Sequence, residues 1–439
     1  MLQNCDLVKL GDILAESKDE VATPDPKKRI RVRLNVQGVE RRPETNDVEG
    51  ATKYFIRRRG QFIYGKQNLF KGAFGVIPLE LDGFESSSDL PAFDVDESCN
   101  PEWIYYYLRH GKFYEELVTL AAGTGSRRVQ PKKLYDLTIP LPERKVQDAL
   151  ICSFKAFETK QKGLDASIRE IQANIHNLRR AILQEAVSGK LVPQDPNDEP
   201  ATELLKRIKA NKDDLIREGR IRKEKDLPPI TDKEIPYELP QRWKWIRTGD
   251  LLASFDYGTS QKSLDITEGI PVVSMGNVVG GRLNLLNLKR ISRDSEDLPK
   301  LLLRRNDILF NRTNSLELVG KAGIYEGEND QFTFASYLIR IRIFDYVHPK
   351  YLNYYLASRT FRETQIDPEV VQQCGQANFN GTKLRKTLFP LPPLQEQKRI
   401  AEKVEQLTKV CDELEGKNNE NLDNSEILME AMLNEAFAS

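Results

Sequence analysis

The chain has 439 residues, and at about 150 residues per domain this length indicates roughly three structural units. Lysine and arginine total 66, as do aspartate and glutamate, so the net charge is zero, which excludes a globally basic nucleic-acid binder but not local basic patches. Residues 1–30 lack an apolar signal segment, no apolar run reaches the ~18 residues of a membrane span, and the five cysteines are scattered. We therefore expect a cytoplasmic protein without a disulfide scaffold or a metal site.

A large internal repeat organises the chain. LYDLTIPLP at 134–142 matches LRKTLFPLP at 384–392, a shift of 250 residues that also relates Gln147 to Gln397. At the same shift, AILQEAVS (181–188) matches AMLNEAFA (431–438), and RRGQFIYGK (58–66) resembles RRNDILFNR (304–312) with a small change in length. The sequence therefore predicts two copies of one plan, each a mixed domain followed by a long helix.

Strand-like runs broken by Gly, Pro and Asn predict that both domains are β-rich with a few helices, so the fold class is α+β. The predicted segments are 1–142 (first domain), 143–190 (first long helix), 191–244 (charged, proline-rich linker), 245–392 (second domain) and 393–439 (second long helix). Within the linker, apolar spacing predicts a short amphipathic helix over 201–218, whose charges form a solvated face.

The two long helices carry an apolar seam at heptad spacing, which is typical of a coiled coil. The seam residues are Leu164, Ile168, Ile171, Ile175, Leu178 and Ile182 in the first helix, and Ile400, Val404, Leu407 and Leu414 in the second. Polar residues at 418, 421 and 425 interrupt the second seam and predict weaker pairing or a distorted helix. We predict that the helices pair antiparallel within one chain, and the alternatives are packing on their own domains or an intermolecular coil.

Basic, hydrogen-bonding loops are the positive functional signal, because clustered Arg and Lys suit a phosphate backbone and neighbouring amides can read base edges. Residues 53–72 carry six basic residues and no acid, whereas residues 80–97 carry seven acids and no base. A second pair of loops, 125–133 and 375–383, occupies matched positions in the two copies. The predicted DNA-contacting residues are Arg57, Arg58, Arg59, Lys66, Asn68, Ser126, Arg127, Arg128, Lys132, Arg304, Arg305, Arg312, Asn314, Gln376, Asn378, Asn380 and Lys383.

Catalytic signatures are missing from the sequence. There is no phosphate-binding G-x-x-x-x-G-K-[ST] loop, no Asn-Pro-Pro-aromatic tetrapeptide and no convincing catalytic triad among three histidines. No catalytic residue is therefore predicted. A nuclease site built from some of the 66 carboxylates stays open as an alternative.

The chain resembles the specificity (S) subunit of type I restriction–modification systems. The resemblance rests on two variable domains, each followed by a long helix that opens with [IF]-P-L-P, and on the runs AILQEAVSGKLVP (181–193) and LPPLQEQKRIAEKVEQL (391–407). It implies two target-recognition domains, each reading one half of a split, asymmetric DNA site. It also implies that the helices form an antiparallel spacer that sets the gap and docks two methyltransferase (modification) subunits.

The resemblance further implies that this chain performs no chemistry. S-adenosylmethionine, ATP and Mg would belong to partners, namely the adenine-methylating subunits and the restriction motor–nuclease subunits. Two other interpretations remain: a stand-alone DNA-binding protein without a methyltransferase partner, and a coiled-coil scaffold that binds protein only.

Overall fold

The computed structural model describes residues 5–43, 52–123, 126–265, 267–373 and 376–437. The chain divides into two compact units, Met1–Glu170 with Lys417–Ser439 (unit 1) and Ile171–Gly416 (unit 2). Helices and strands both contribute to each unit, which confirms the predicted mixed composition. Within the described ranges, no helix has the length and apolar character needed to cross a membrane.

Unit 1 contains a four-stranded antiparallel sheet and three strand pairs. Its strands are β1 (Asp6–Lys9), β2 (Leu14–Glu16), β3 (Ile30–Val32), β4 (Val39–Arg41), β5 (Tyr54–Ile56), β6 (Phe62–Tyr64), β7 (Phe74–Val76), β8 (Glu85–Ser87), β9 (Ala92–Val95) and β10 (Thr138–Leu141). The sheet has the order β2-β9-β6-β7, and the pairs are β1–β10, β3–β4 and β5–β8. The helices are α1 (Leu10–Ile13), α2 (Pro101–Arg109), α3 (Pro131–Tyr135) and the first part of α4 (Arg144–Val187).

Large aromatic side chains fill the core of unit 1. Tyr64 of β6 stacks on Phe93 of β9 with ring centroids 5.9 Å apart, and Trp103 of α2 is fully buried in the same core. Helix α2 starts at this place because the Asn100 side chain accepts a hydrogen bond from the backbone N–H of Glu102, and Pro101 takes the first helical position. Burial of these aromatics fixes the strands whose ends carry the candidate site.

Unit 2 begins with the last part of α4 and with the segment predicted as a linker. This segment contains α5 (Ala201–Arg217), which confirms the short amphipathic helix. Ala201, Leu204 and Ile208 lie on one face of α5 and are fully buried in the same core cluster as Trp243. The segment around α5 is therefore packed into unit 2, and the charges of the helix lie on its solvated side.

Unit 2 is built on a six-stranded sheet. Its strands are β11 (Lys244–Arg247), β12 (Leu252–Tyr257), β13 (Ile270–Val273), β14 (Val278–Val279), β15 (Gly281–Leu283), β16 (Arg290–Ile291), β17 (Ile308–Asn311), β18 (Thr313–Asn314), β19 (Ala322–Ile324), β20 (Thr333–Phe334), β21 (Leu338–Ile343), β22 (Val371–Gln373), β23 (Gln376–Asn378) and β24 (Leu388–Leu391). The large sheet has the order β12-β21-β17-β19-β15-β14; the smaller groups are β11–β24, β16-β13-β20 and β18-β23-β22. The helices are α6 (Pro349–Ala357), α7 (Arg359–Phe361), α8 (Gly381–Lys386) and the first part of α9 (Leu394–Phe437).

The 250-residue repeat is visible in the contacts of both units. β10 and β24 differ by 250 residues, and Pro140 and Pro390 pair with β1 and β11 at equivalent positions. The Gln147 side chain accepts a hydrogen bond from the Asn100 N–H and donates one to the Pro142 carbonyl. Gln397 makes the same two kinds of contact with His348 and Pro392. The repeat is therefore structural, and these glutamines tie each long helix to the start of the helix α2 or α6 of its own copy.

The two long helices run antiparallel inside each unit. In unit 1, Phe154 lies 6.3 Å from Phe437 (between ring centroids), and the Asn418 side chain donates a 3.2 Å hydrogen bond to the Ile168 carbonyl. In unit 2, Arg179 pairs with Asp412 and Glu415. Helix α9 is continuous through 418–425, and Asn418 and Ser425 are buried, so the expected distortion of the second helix is wrong.

Burial divides the predicted seam residues into two rows. Ile168, Ile175 and Ile182 are buried, as are Ile400 and Val404, and Leu407 is half-buried. Leu164, Ile171, Leu178 and Leu414 instead remain 40–47% exposed. Positions 165 and 179 of α4 are half-buried instead, whereas position 172 is exposed.

Candidate nucleic-acid interface

In unit 1, the residues after β6 and the residues before α3 form one surface. The Val129 N–H donates a 2.8 Å hydrogen bond to the Lys66 carbonyl, and the buried Tyr64 hydroxyl donates to the Val129 carbonyl at 3.0 Å. Ala122 and Arg128 form an antiparallel β-bridge, in which the backbone N–H of each residue donates to the carbonyl of the other. The two bonds of Val129 hold the second loop against the strand end, although Tyr64 and Val129 are 65 residues apart in sequence.

This surface contains a shallow cleft of about 330 Å³. Its lining residues are Gln67, Asn68, Phe70, Lys71, Ser126 and Arg127. The structure therefore brings together three predicted residues, namely Asn68, Ser126 and Arg127. Gln67 and Phe70 were missed, and Lys71 counted toward the charge of the acid-free run 53–72 without being named as a predicted contact.

Three other predicted cations flank this cleft in sequence. Arg128 is half-buried and forms a 3.4 Å ion pair with Asp89, whereas Lys132 is exposed on α3. The Lys66 side chain is half-buried at the strand end. Exposed cations, an amide and a hydroxyl at one surface suit a polyanion with hydrogen-bonding edges.

The three consecutive arginines before β6 have different environments. Arg57 is 1% exposed, and its guanidinium donates hydrogen bonds to the Ser86 hydroxyl at 2.7 Å and to the Ser17 carbonyl at 2.9 Å. Its assignment as a DNA contact is therefore wrong, because its donors are used inside the core. Arg58 and Arg59 are exposed in the turn at the opposite end of β6 from Lys66, so they are separate from the cleft.

Unit 2 repeats the arrangement around Arg312. The Phe379 N–H donates a 2.8 Å hydrogen bond to the Arg312 carbonyl, the counterpart of the bond between Val129 and Lys66. β18 then pairs with β23, which pairs with β22, so Asn314, Gln376 and Asn378 belong to one small antiparallel sheet. The equivalence of Val129 and Phe379 follows the 250-residue shift.

Side chains along 376–380 alternate between the core and the surface. Ala377 and Phe379 are fully buried, whereas Gln376, Asn378 and Asn380 are exposed. This is the period-two pattern of an extended chain with one face on the core. Asn380 has a local structural role as well, because its side chain accepts a hydrogen bond from the Lys383 N–H and caps α8.

The remaining predicted cations of unit 2 are dispersed. Arg304 and Arg305 lie in the turn before β17, at the opposite end of that strand from Arg312. The Arg312 guanidinium bonds the Ser336 carbonyl at 2.9 Å and lies 4.9 Å from the ring centre of Tyr257, a residue that the sequence did not single out. The Lys383 ammonium contacts the Glu369 carbonyl, and the side chain of Asn314 accepts from the Ser315 N–H.

Both surfaces therefore present side-chain amides, which donate and accept hydrogen bonds, and guanidinium groups, which only donate. Within the described ranges, no group of three or more His, Cys, Asp or Glu side chains is arranged to hold a metal ion. The chemistry that these surfaces offer is recognition of a polar, anionic ligand.

Comparison with known sequences identifies part of the chain directly. The sequence profile of the type I restriction modification DNA specificity domain matches residues 240–424. The chain is 36% identical over 247 residues to the specificity subunit of the type I restriction enzyme EcoAI from Escherichia coli, which covers 55% of this chain and 41% of that protein. It is 33% identical over 257 residues to the EcoEI specificity subunit from the same species, covering 56% and 42%. The match thus spans less than half the length of these curated relatives.

Solved structures share the fold along the whole chain. The HsdS subunit from Thermoanaerobacter tengcongensis aligns with 99% of this chain and 97% of its own, at 17% identity and a TM-score of 0.56. A chain from a study of complex assembly and conformational transition of the type I R-M system aligns with 100% and 98%, at 18% identity and a TM-score of 0.60.

The duplicated domains and the long helices thus give this chain the fold of these HsdS structures. Residues 240–424 match the specificity-domain profile, and the chain is similar to type I restriction specificity subunits, so the predicted resemblance is confirmed.

Proposed function

We propose that the chain is the DNA-recognition subunit of a type I restriction–modification complex, in which each unit reads one half of a split, asymmetric site. The observation that carries the proposal is the pair of equivalent surfaces. Hydrogen bonds from Val129 to Lys66 and from Phe379 to Arg312 build the same support in both units. The side chains on that support differ, since Ser126 and Arg128 stand where unit 2 has Gln376 and Asn378. One scaffold with two sets of side chains suits a site with two unlike halves.

The long helices would set the gap between the half-sites and dock two methyltransferase subunits. Each helix has 44 residues, which at ~1.5 Å per residue corresponds to about 66 Å, close to two ~34 Å turns of DNA. The exposed apolar row at Leu164, Ile171 and Leu178 supports docking, because water-exposed Leu and Ile at regular spacing are typical of a surface that a partner covers.

Chemistry would belong to the partners. Adenine methylation with S-adenosylmethionine would be the task of the modification subunits, and cleavage with ATP and Mg that of the restriction motor–nuclease subunits. The role of this chain is consistent with the hydrogen-bonding side chains of its two surfaces, which suit recognition.

A genome-wide map of N6-methyladenine, measured by long-read sequencing in the host with and without this gene, tests the proposal. We expect a split, asymmetric motif that disappears on deletion and returns when the gene is restored on a plasmid. An identical methylation map in both strains would contradict the proposal and would favour a protein that acts without a methyltransferase.

A further inference from the structure

The exposed face of β23 in unit 2 carries two side-chain amides held at a fixed spacing. Gln376 and Asn378 are both exposed, and the intervening Ala377 is fully buried in the core of unit 2. The backbone of Asn378 pairs with Thr313 on one side and with Val371 on the other, so β23 is the central strand of its sheet. This pairing fixes the backbone from which the amides project before any ligand binds, which reduces the backbone entropy that binding must remove.

Neither amide is used by the fold. Within the described ranges, the side chains of Gln376 and Asn378 have no hydrogen-bond partner, whereas the neighbouring Asn314 and Asn380 side chains both accept from backbone N–H groups. Each uncommitted amide on this rigid strand presents a carbonyl acceptor and an NH₂ donor group. Two such groups at successive outward positions match a ligand that offers paired donors and acceptors.

The chemistry of these groups matches one base. In the major groove adenine offers the N7 acceptor beside the N6 donor, which an Asn or Gln amide binds through two hydrogen bonds. Guanine offers two acceptors, N7 and O6, and favours Arg or Lys. The major groove admits a two-stranded β-ribbon, and side chains two residues apart on a strand are separated by roughly 6.6 Å, about two base-pair steps of ~3.4 Å.

We propose that the β23 face is the base-reading element of unit 2 and that Gln376 and Asn378 select adenine within its half-site. The inference rests on the proposed function, which it deepens by naming the residues and the base. At the equivalent positions unit 1 has Ser126 and Arg128, and Arg127 is exposed between them. The two halves of the site would therefore be read by different side chains, with amides in unit 2.

The methylation map of variant strains tests the assignment. Replacing Asn378 by Ala should relax one adenine position in one half of the motif, with discrimination lowered roughly five- to 140-fold, the range for one bidentate contact. Asn378→Arg, which introduces the side chain of the equivalent Arg128, should shift that position toward guanine. The matched control Ser126→Ala, at the position equivalent to Gln376, should leave this half unchanged and affect only the other half.

A second measurement avoids any folding defect in the variants. The full-length wild-type chain is titrated against duplexes in which the adenines of one half-site are replaced by 7-deazaadenine, which removes N7 but keeps base pairing. Binding should weaken roughly five- to 140-fold for the half that Asn378→Ala alters, and the Asn378→Ala chain should show a smaller difference between the two duplexes, because only Gln376 still reads an adenine there.

Two results would overturn the inference: equal wild-type affinity for the modified and unmodified duplexes, or relaxation in Asn378→Ala at a G·C pair. Either could occur while the wild-type strain still shows a split motif, in which case the proposed function stands and only the base assignment fails. Absence of a motif in the wild-type strain would remove both.

Discussion

The buried Arg57 allows a sharp test of how unit 1 is built. Its guanidinium donates to the Ser86 hydroxyl and to the carbonyls of Ser17 and Leu90. Burial lowers the pKa of Arg57 to about 10, an effect partly offset by the carboxylates of Glu16, Asp19 and Asp94. The charge is therefore held in the core at a cost in desolvation, which its hydrogen bonds offset.

Replacing Arg57 by Ala removes the donor to the Ser17 carbonyl and one partner of Ser86, while the Leu90 carbonyl keeps its bond from the Ser86 hydroxyl at 2.7 Å. A buried polar group without its partner costs about 1–3 kcal/mol. We expect the free energy of unfolding of unit 1 to fall by about 2–4 kcal/mol, since two such groups are affected and removal of the desolvated charge offsets part of the cost.

Hydrogen exchange measured by mass spectrometry on the full chain reports this change locally. Peptides from β5, β6 and β8 should exchange faster in the Arg57→Ala chain, and peptides from unit 2 should not change. The control is the double variant Arg58→Ala/Arg59→Ala in the adjacent turn, where both side chains are exposed. Its stability should stay within about 0.5 kcal/mol of the wild type.

DNA binding separates the two variants further. If Arg58 and Arg59 neutralise phosphates, the double variant should reduce the slope of log K against log salt by about one for each arginine that binds a phosphate. Arg57→Ala should leave that slope unchanged in the folded fraction. The reasoning would be refuted if Arg57→Ala reduced the salt slope and left hydrogen exchange unaltered, because the guanidinium would then bind DNA at the surface.

Three further perturbations follow from the structure. The ring centroid of Phe437 lies 4.6 Å from that of Trp103, and Phe437 is 5% exposed. Phe437→Ala should therefore lower the free energy of unfolding of unit 1 by about 3–5 kcal/mol, measured by chemical denaturation. The control Leu428→Ala, on the exposed side of α9, should change it little. Hydrogen bonds from Arg247 and Thr231 lower the pKa of Glu234 from 4.5 to about 2, so the stabilisation of unit 2 by this carboxylate is present above pH 4.5 and disappears as the pH falls toward 2. Glu234→Gln should flatten the dependence of the free energy of unfolding on pH in this range. An unchanged dependence would contradict the assignment. Deleting one heptad from 165–180 together with the matching heptad of α9 shortens the helix pair by about 10 Å. The gap in the methylated motif should then shorten by about three base pairs, and both half-sequences should stay the same. Altered half-sequences would argue against a spacer.

The repeat is the feature that the sequence determined most fully. Its 250-residue period places Gln147 and Gln397 at the starts of the two long helices and predicts that both belong to one plan, because each copy needs the same contacts to attach its helix. The mixed helix and strand composition and the helix after the first domain follow from local patterns, which report backbone preference and amphipathic spacing.

The orientation of individual side chains was decided by tertiary structure. Three consecutive arginines look alike in sequence, but Arg57 lies inward because Ser17 and Ser86 receive its hydrogen bonds from strands far along the chain. The apolar row at Leu164, Ile171 and Leu178 stays exposed for a similar reason. A helix has 3.6 residues per turn and offers two neighbouring rows to a partner, and the partner helix selects between them.

The candidate site depended on both the sequence and the tertiary structure. Sequence marked the loops 66–68 and 126–130 by their charge and polarity, and it marked 312–314 and 376–380 by their equivalence. Only the folded chain brings each pair together, through the hydrogen bonds of Val129 with Lys66 and of Phe379 with Arg312. Such contacts between distant segments leave no local pattern, since they depend on where the strands end in space. Residue types can be read from the sequence, whereas their convergence on one surface is a property of the tertiary structure.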